Sequence, residues 1–159
     1  MVTWYTKGTM LKPIYNTEPI RYPYEKYDYI EEQLSNSDSS FLAATAKIAL
    51  TSDYRFRMAA LLVKSGRVLG GDTNVARITP NTPPNRVSTH AEIRVIKNTK
   101  NTKGATLYVA RLKSKDEHGM AKPCIWCLNK ILEAGISKVV FTTNDGDGSA
   151  FYTNMITLH

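Results

Sequence analysis

Two short segments with metal-binding side chains constrain the fold of this chain more than any other feature. His90 opens the segment His-Ala-Glu, and Cys124 and Cys127 lie in Pro-Cys-Ile-Trp-Cys, which begins at Pro123. One histidine nitrogen and two thiolates occupy three corners of a Zn²⁺ tetrahedron and leave the fourth for a water molecule. Taken alone, the cysteine pair is also compatible with a disulfide or a redox motif. We expect a fold that brings both segments together around one Zn²⁺ per chain.

Both segments fit the beginning of a helix. Pro123 suits the position just before or within a first helical turn, where its missing N–H group has no bond to make. Cys124 and Cys127 then lie side by side in that turn, and the helix dipole favours the thiolates that bind metal. His90 follows a proline-containing loop and also begins a helical pattern. The sequence thus predicts two helix starts that converge at one edge of a sheet.

Glu92 is too close to His90 along a helix to join it as a ligand. Two residues correspond to about 200° of rotation, so the two side chains point to different sides of the helix. A carboxylate in this position can contact a water bound at the open corner, whose pKa zinc lowers toward neutrality. Glu92 can then accept a proton from this water and pass it to a reacting group.

The hydrophobic pattern predicts an α/β domain. Ser65-Gly66 is typical of a hairpin turn, and the polar cluster at residues 36–40 is expected to cap the first helix. A hairpin followed by alternating helices and strands implies a mixed sheet with helices on its faces. Helices are predicted over Phe41–Thr51, His90–Asn98 and Cys124–Ala134, and strands over Met58–Lys64, Val68–Gly71, Ala105–Ala110 and Lys138–Thr143.

Residues 1–37 differ in composition from the rest of the chain. They hold six of the nine tyrosines, interspersed with Pro13, Pro19 and Pro23. Because prolines oppose regular structure, we interpret this segment as an extended arm with a short helix over Glu25–Leu34, and residues 38–159 as the functional domain. The tyrosines are expected to pack on the domain or on a neighbouring subunit, with stacking on nucleic-acid bases as the alternative.

The net charge of +7 points to anionic ligands. Seven basic residues and no acidic one lie between Arg94 and Lys115, a pattern that attracts nucleotides or nucleic acid or forms a solvated surface. No apolar run is long enough to span a bilayer, and the N-terminus lacks a signal-peptide pattern, so we expect a cytoplasmic protein without membrane partners.

These motifs resemble those of the zinc-dependent cytidine/deoxycytidylate deaminase superfamily. The resemblance covers about residues 40–145 and includes Ala105-Thr106-Leu107-Tyr108-Val109 and Ile131-Leu132-Glu133-Ala134-Gly135-Ile136. It implies a three-layer α/β/α sandwich with a mixed sheet of about five strands, the fifth near Phe151–Leu158, and a homo-oligomer. It also implies hydrolytic deamination of a nucleobase, with His90, Cys124 and Cys127 as zinc ligands and Glu92 as the catalytic proton carrier.

The resemblance suggests further contacts with substrate. Asn74 matches an asparagine that binds the sugar or base, and the N–H groups of Ala91 and Cys124 would hold the base edge. Trp126 lines the pocket or packs in the core. The excess of positive charge near the motif makes Arg77, Arg86 and Arg94 candidates for a contact with a phosphate. The candidate substrate-binding residues are Asn74, Arg77, Ala91, Pro123 and Trp126.

Three hypotheses about function follow. Free-cytidine deaminases resemble this chain but generally bind zinc with three cysteines. His90 at the first ligand position therefore argues against free cytidine as the substrate. The leading hypothesis is a deaminase of a free cytosine nucleotide such as dCMP, although Ile93-Arg94 replaces the Asn-Ala pair that often follows the glutamate in such enzymes. The alternatives are a deaminase of adenosine or cytidine within tRNA or single-stranded nucleic acid, and a non-catalytic zinc protein that binds nucleotides.

Overall fold

A mixed β-sheet forms the centre of the computed structural model, which describes residues 3–5, 27–52, 56–75 and 90–158. The helices of these residues are α1 (Asn36–Ala49), α2 (Ala91–Lys97) and α3 (Ile125–Glu133), and a 3₁₀ turn lies at Thr153–Met155. The strands are β1 (Thr3–Tyr5), β2 (Tyr27–Tyr29), β3 (Arg57–Lys64), β4 (Arg67–Thr73), β5 (Thr106–Leu112), β6 (His118–Gly119), β7 (Lys138–Phe141), β8 (Ser149–Tyr152) and β9 (Ile156–Leu158).

The strand order confirms the predicted mixed sheet. It runs β4-β3-β5-β7-β8, with the short strand β6 paired to β5. Strands β5 and β7 are parallel, and the other neighbouring pairs are antiparallel. The fifth long strand, β8, begins two residues before the predicted C-terminal segment, while β9 joins β1 and β2 in a second, antiparallel sheet.

Side chains alternate between the two faces of the central sheet, as the pleat of a strand requires. One face packs against α1 and carries Leu61, Val63, Tyr108 and Val140 around Leu42. The other face packs against α2 and α3 and carries Ala60, Leu62, Leu107, Val109, Val139 and Phe141 around Val95 and Ile131. This arrangement confirms the three-layer α/β/α sandwich.

The hairpin turn and the end of α3 are also as predicted. Ser65 and Gly66 both have positive φ, at 51° and 74°, which is typical of the tight turn that joins two antiparallel strands. Gly135 follows α3 with a φ of 75°, a left-handed conformation that ends many helices. Within the described residues, every helix is too short or too polar to cross a membrane.

Helix α1 begins earlier than predicted, because the polar cluster at residues 36–40 is its first turn and not its cap. Ser35 is the N-cap: its side chain accepts a hydrogen bond from the Asp38 N–H at 3.0 Å, and the Asp38 carboxylate accepts one from the Ser35 N–H at 3.4 Å. Asp38 also turns inward, where it accepts hydrogen bonds from the Tyr108 hydroxyl at 2.9 Å and from Lys138 at 2.7 Å.

Replacing Asp38 by asparagine is expected to lower the free energy of unfolding by about 3 kcal/mol, because it leaves the half-buried Lys138 ammonium without its counter-charge. Burial raises the pKa of Asp38, but the hydrogen bonds from Lys138 and Tyr108 outweigh this effect and hold it below the ordinary value of an aspartate. This carboxylate therefore stabilises the fold above the pKa of an unfolded aspartate, and its contribution is lost as the pH falls through its lowered pKa. Urea denaturation across pH 3 to 7 measures both effects.

The matched control is Asp116→Asn. Asp116 pairs with Arg57 at 2.7 Å, but its side chain is 61% exposed. We expect that variant to change stability by less than about 1 kcal/mol. Equal losses in both variants would contradict a special role for Asp38.

The helix predicted over Glu25–Leu34 is wrong, because Tyr27–Tyr29 forms strand β2 on β9. Tyr27 is buried and Asp28 is exposed, because neighbouring residues of a strand point to opposite faces. The Tyr27 ring lies 5.9 Å from that of Phe151, and the Tyr29 ring lies 5.2 Å from it. Packing on the domain is thus confirmed for these two tyrosines. The side chains of the other four lie outside the described residues, and the boundary at residue 37 stays a prediction.

Candidate metal centre

The two predicted helix starts meet at one edge of the central sheet. His90 is the N-cap residue of α2 and Cys124 that of α3, and both have extended backbone angles just before the helix. Neither side chain caps its own helix. Because α2 and α3 pack on the same face of the sheet, the side chains of His90 and Cys124 can point toward each other.

His90, Cys124 and Cys127 form a compact donor set. The His90 Nδ1 lies 3.1 Å from the Cys127 Sγ and 3.8 Å from the Cys124 Sγ, and all three ligand atoms lie within 4.8 Å of one another. A tetrahedral Zn²⁺ with ordinary bond lengths separates its nitrogen and sulfur ligands by about 3.6 Å. Cys127 is buried, whereas His90 and Cys124 are half-buried, so one side of the centre faces outward. The geometry and the donor types fit Zn²⁺.

The surroundings favour the thiolate of Cys124. A hydrogen bond with Cys127 lowers the pKa of the Cys124 thiol most, and burial opposes this effect. The hydrogen bond and positive charge of His90 lower it further, to about 4. The thiolate, which is the form that binds metal, is therefore the stable form of Cys124 at neutral pH.

Glu92 lies beside the donor set without belonging to it. Its side chain is 2% exposed, and within the described part of the chain its Oε1 has no hydrogen-bond partner. Burial raises the pKa of this carboxyl, the positive charge of His90 lowers it, and the neighbouring Cys124 raises it again, for a net increase. A buried carboxylate oxygen ordinarily has a polar partner, so Oε1 is suited to a water or a substrate group.

The structure places three other predicted residues next to these ligands in the chain. Ala91 is fully buried in the first turn of α2. Pro123 is buried just before α3, and Trp126 is half-buried within its first turn. Arg77 and Arg86 lie outside the described residues. Arg94 forms an ion pair with Asp72 at 3.1 Å, so its charge already has a partner.

The amide of Asn74 holds two strands together. Its Oδ1 accepts hydrogen bonds from the Ser52 hydroxyl at 2.8 Å and the Met58 N–H at 3.0 Å, and its Nδ2 donates to the Phe56 carbonyl. These bonds join the end of β4 to the start of β3 and the segment before it. The predicted contact between Asn74 and substrate stays a prediction.

Part of the positive charge lies away from the metal ligands. Helix α2 begins at the donor set and ends at Lys97. The two ends of the helix are about 10 Å apart along its axis. Lys103 precedes Gly104, whose N–H donates a 2.8 Å hydrogen bond to the carbonyl of Gly135, beyond the end of α3, which also begins at the donor set. Lys97 and Lys103 therefore lie at or beyond the far ends of the two helices that begin at the candidate site, and not around it.

Sequence reasoning missed Tyr27 as a neighbour of this centre. Its hydroxyl donates a 2.7 Å hydrogen bond to the carbonyl of Pro123, next to Cys124. The two residues are 96 positions apart, and no spacing in the sequence connects them.

Comparison with known proteins agrees with this geometry. Residues 35–143, more than half of the chain, match the family described as the cytidine and deoxycytidylate deaminase zinc-binding region. A search of curated proteins finds no significant match.

Solved structures share the fold at low sequence identity. The dCMP deaminase from the cyanophage S-TIM5 in apo form is 20% identical, with a TM-score of 0.50, and the match covers 69% of this chain and 86% of that one. In complex with dCMP and dUMP, the same protein gives 19% identity and a TM-score of 0.51, over 72% and 90% of the two chains. The family match and the donor set together show that the chain belongs to the cytidine and deoxycytidylate deaminase zinc-binding family and is a zinc-dependent deaminase.

Proposed function

We propose that the chain converts the cytosine of a free nucleotide such as dCMP to uracil with release of ammonia. The observation that carries this proposal is the buried Glu92 carboxylate next to three ligands that fit Zn²⁺. Two further points support a cytosine nucleotide. His-Ala-Glu resembles the motif of deoxycytidylate deaminases, and a cyanophage protein of the same fold forms a complex with dCMP and dUMP.

The proposed chemistry assigns both proton transfers to Glu92. Zinc held by His90, Cys124 and Cys127 would supply a water of lowered pKa. Glu92 accepts a proton from this water and donates it to the ring nitrogen N3, while the water oxygen bonds to C4. Glu92 then carries the remaining hydroxyl proton to the amino group, the C4–N bond breaks, and ammonia leaves. The ring keeps one new C=O bond and one proton on N3.

Other residues are proposed to orient the base. The N–H groups at helix starts lack partners within the helix, so those of Ala91 and Cys124 suit the polar edge of a base. We also propose pocket contacts from Pro123 and Trp126, a sugar or base contact from Asn74, and a phosphate contact from Arg77.

A deaminase that acts within tRNA or single-stranded nucleic acid is the second candidate. It is favoured by the net charge of +7 and by Lys97 and Lys103 at or beyond the far ends of α2 and α3, which would extend a contact surface beyond one nucleotide. Binding to nucleic acid through these charges would weaken steeply as salt rises.

The choice is tested by measuring ammonia release from dCMP, CMP, dCTP, cytidine and deoxycytidine beside tRNA and single-stranded DNA. We expect a free nucleotide to be the best substrate. If the protein releases ammonia only from tRNA or single-stranded DNA, and its affinity for that nucleic acid falls steeply as salt rises, the second candidate would be correct and the first wrong.

The assembly and location of the protein are also proposals. We propose a homo-oligomer, as the family resemblance implies, in the cytoplasm. Cys124 and Cys127 are not joined in a disulfide, in keeping with a reducing compartment. Sedimentation of the purified protein measures its oligomeric state.

A further inference from the structure

Strand β2 reaches the metal centre from outside the region that matches the family. Tyr27, the first residue of β2, is 2% exposed, and its hydroxyl donates a 2.7 Å hydrogen bond to the carbonyl of Pro123. Pro123 directly precedes the ligand Cys124, and the family match begins only at residue 35. A segment of the N-terminal arm thus contacts the backbone that leads into a metal ligand.

Lys122 provides a second contact between the same two segments. Its Nζ donates a 3.4 Å hydrogen bond to the carbonyl of Tyr27. The same ammonium lies 4.5 Å from the centre of the Tyr27 ring and 5.4 Å from that of Tyr29, within the range of cation–π attraction. Both residues that precede Cys124 are therefore held by β2.

The strand itself is anchored to the core. All three of its residues pair with β9 in an antiparallel register, from Tyr27 opposite Leu158 to Tyr29 opposite Ile156. The Tyr27 ring packs edge-on against Phe151. Because β9 is buried throughout, β2 is a fixed support for what it contacts.

The backbone before Cys124 needs such a support. Cys124 is the N-cap of α3, its side chain makes no capping bond, and its extended angles are set by the chain on either side. Pro123 has no N–H group, so its carbonyl is the one polar backbone group by which this residue can be held. A buried carbonyl that loses its donor is costly, and the chain would shift to find another.

We infer that Tyr27 is a positioning residue for the metal ligand Cys124 and that it raises the affinity of the centre for zinc. The Tyr27 hydroxyl fixes the Pro123 carbonyl and with it the direction in which the Cys124 thiolate enters the donor set. Groups that orient metal ligands in this way typically change metal affinity by about 10- to 100-fold. The inference rests on the metal centre and not on the identity of the substrate.

The test compares Tyr27→Phe with Tyr29→Phe by zinc competition against a chromophoric chelator. Each substitution removes one hydroxyl from β2 and keeps the ring. Tyr27→Phe is expected to bind zinc about 10- to 100-fold more weakly than the wild type, and to change the visible spectrum of the Co²⁺-substituted protein. Tyr29→Phe, whose ring packs against Phe141 and Phe151, is expected to match the wild type in both measurements.

Equal zinc affinity in the two variants would overturn the inference. Circular dichroism of the metal-free proteins shows whether Tyr27→Phe folds. If it does not, replacement of Tyr27 by 4-fluorophenylalanine serves in its place, since this side chain fills the space of the hydroxyl and cannot donate a hydrogen bond to the Pro123 carbonyl. Weaker zinc binding in that variant would support the inference, and wild-type binding would overturn it. Neither outcome depends on which substrate the protein uses.

Discussion

Replacement of Glu92 by glutamine is expected to lower turnover by about 10²- to 10⁴-fold without loss of zinc. Glutamine has nearly the shape of glutamate, so the buried site is kept. It cannot accept a proton from water or return one to the leaving amine. The ligands His90, Cys124 and Cys127 are unchanged, so metal content should stay at one zinc per chain. Steady-state kinetics and metal analysis of the same preparation measure both quantities.

Glu133→Gln is the matched control for this prediction. Glu133 lies at the end of α3, half exposed, and pairs with Lys130 at 3.7 Å. We expect that variant to retain wild-type turnover. If Glu92→Gln retained it too, Glu92 would not be the proton carrier. If the wild type and Glu92→Gln were both inactive on every nucleobase substrate, the non-catalytic zinc protein would be the better account.

Removal of zinc is expected to abolish turnover and to destabilise the fold. Zinc at a thousandfold excess over its Kd stabilises a protein by about 4 kcal/mol, because the unfolded chain does not hold it. For a domain of this size, a strong chelator should then lower the Tm by roughly 8 to 16 °C. Cys127→Ser removes a fully buried ligand and should reach a similar Tm without any chelator. Calorimetry with and without chelator measures these shifts.

A second histidine provides the control for zinc removal. His118 lies half-buried on β6 and is not part of the donor set. His118→Asn should keep its zinc and should lose stability on chelation as the wild type does. Cys127→Ser should show no further loss when the chelator is added. A chelator effect of the same size in Cys127→Ser would contradict the assignment of this cysteine as a ligand.

The site could be predicted because the residues of each of its two segments lie close together in the sequence. Cys124 and Cys127 are spaced by one helical turn, Pro123 marks the helix start, and Glu92 stands at a fixed rotation from His90. Each of these relations is set by the chain within a few residues, and the structure places His90 and Cys124 directly before the helices that they were predicted to begin. The strand alternation around Leu61 and Leu62 was predictable for the same reason.

Elements that depend on distant partners were not predictable. Strand β2 has only three residues, too few to show a period, and it forms because β9 lies alongside it. The inward hydrogen bonds that Asp38 accepts in the first turn of α1 come from Tyr108 and Lys138, which are 70 and 100 positions away. The hydrogen bond from Tyr27 to Pro123 belongs to the same class. Such contacts come from the tertiary fold, and short spacing patterns do not encode them.

We expect this chain to replace a nucleobase amino group with oxygen from water at the centre formed by His90, Cys124 and Cys127. The most direct measurement incubates the zinc-loaded protein with the substrate panel in ¹⁸O-water, with Glu92→Gln of equal zinc content in parallel. We predict that one substrate, foremost dCMP, yields equimolar ammonia and a product with one ¹⁸O atom, and that the variant forms far less. No product above the level of Glu92→Gln on any substrate of the panel would contradict this expectation.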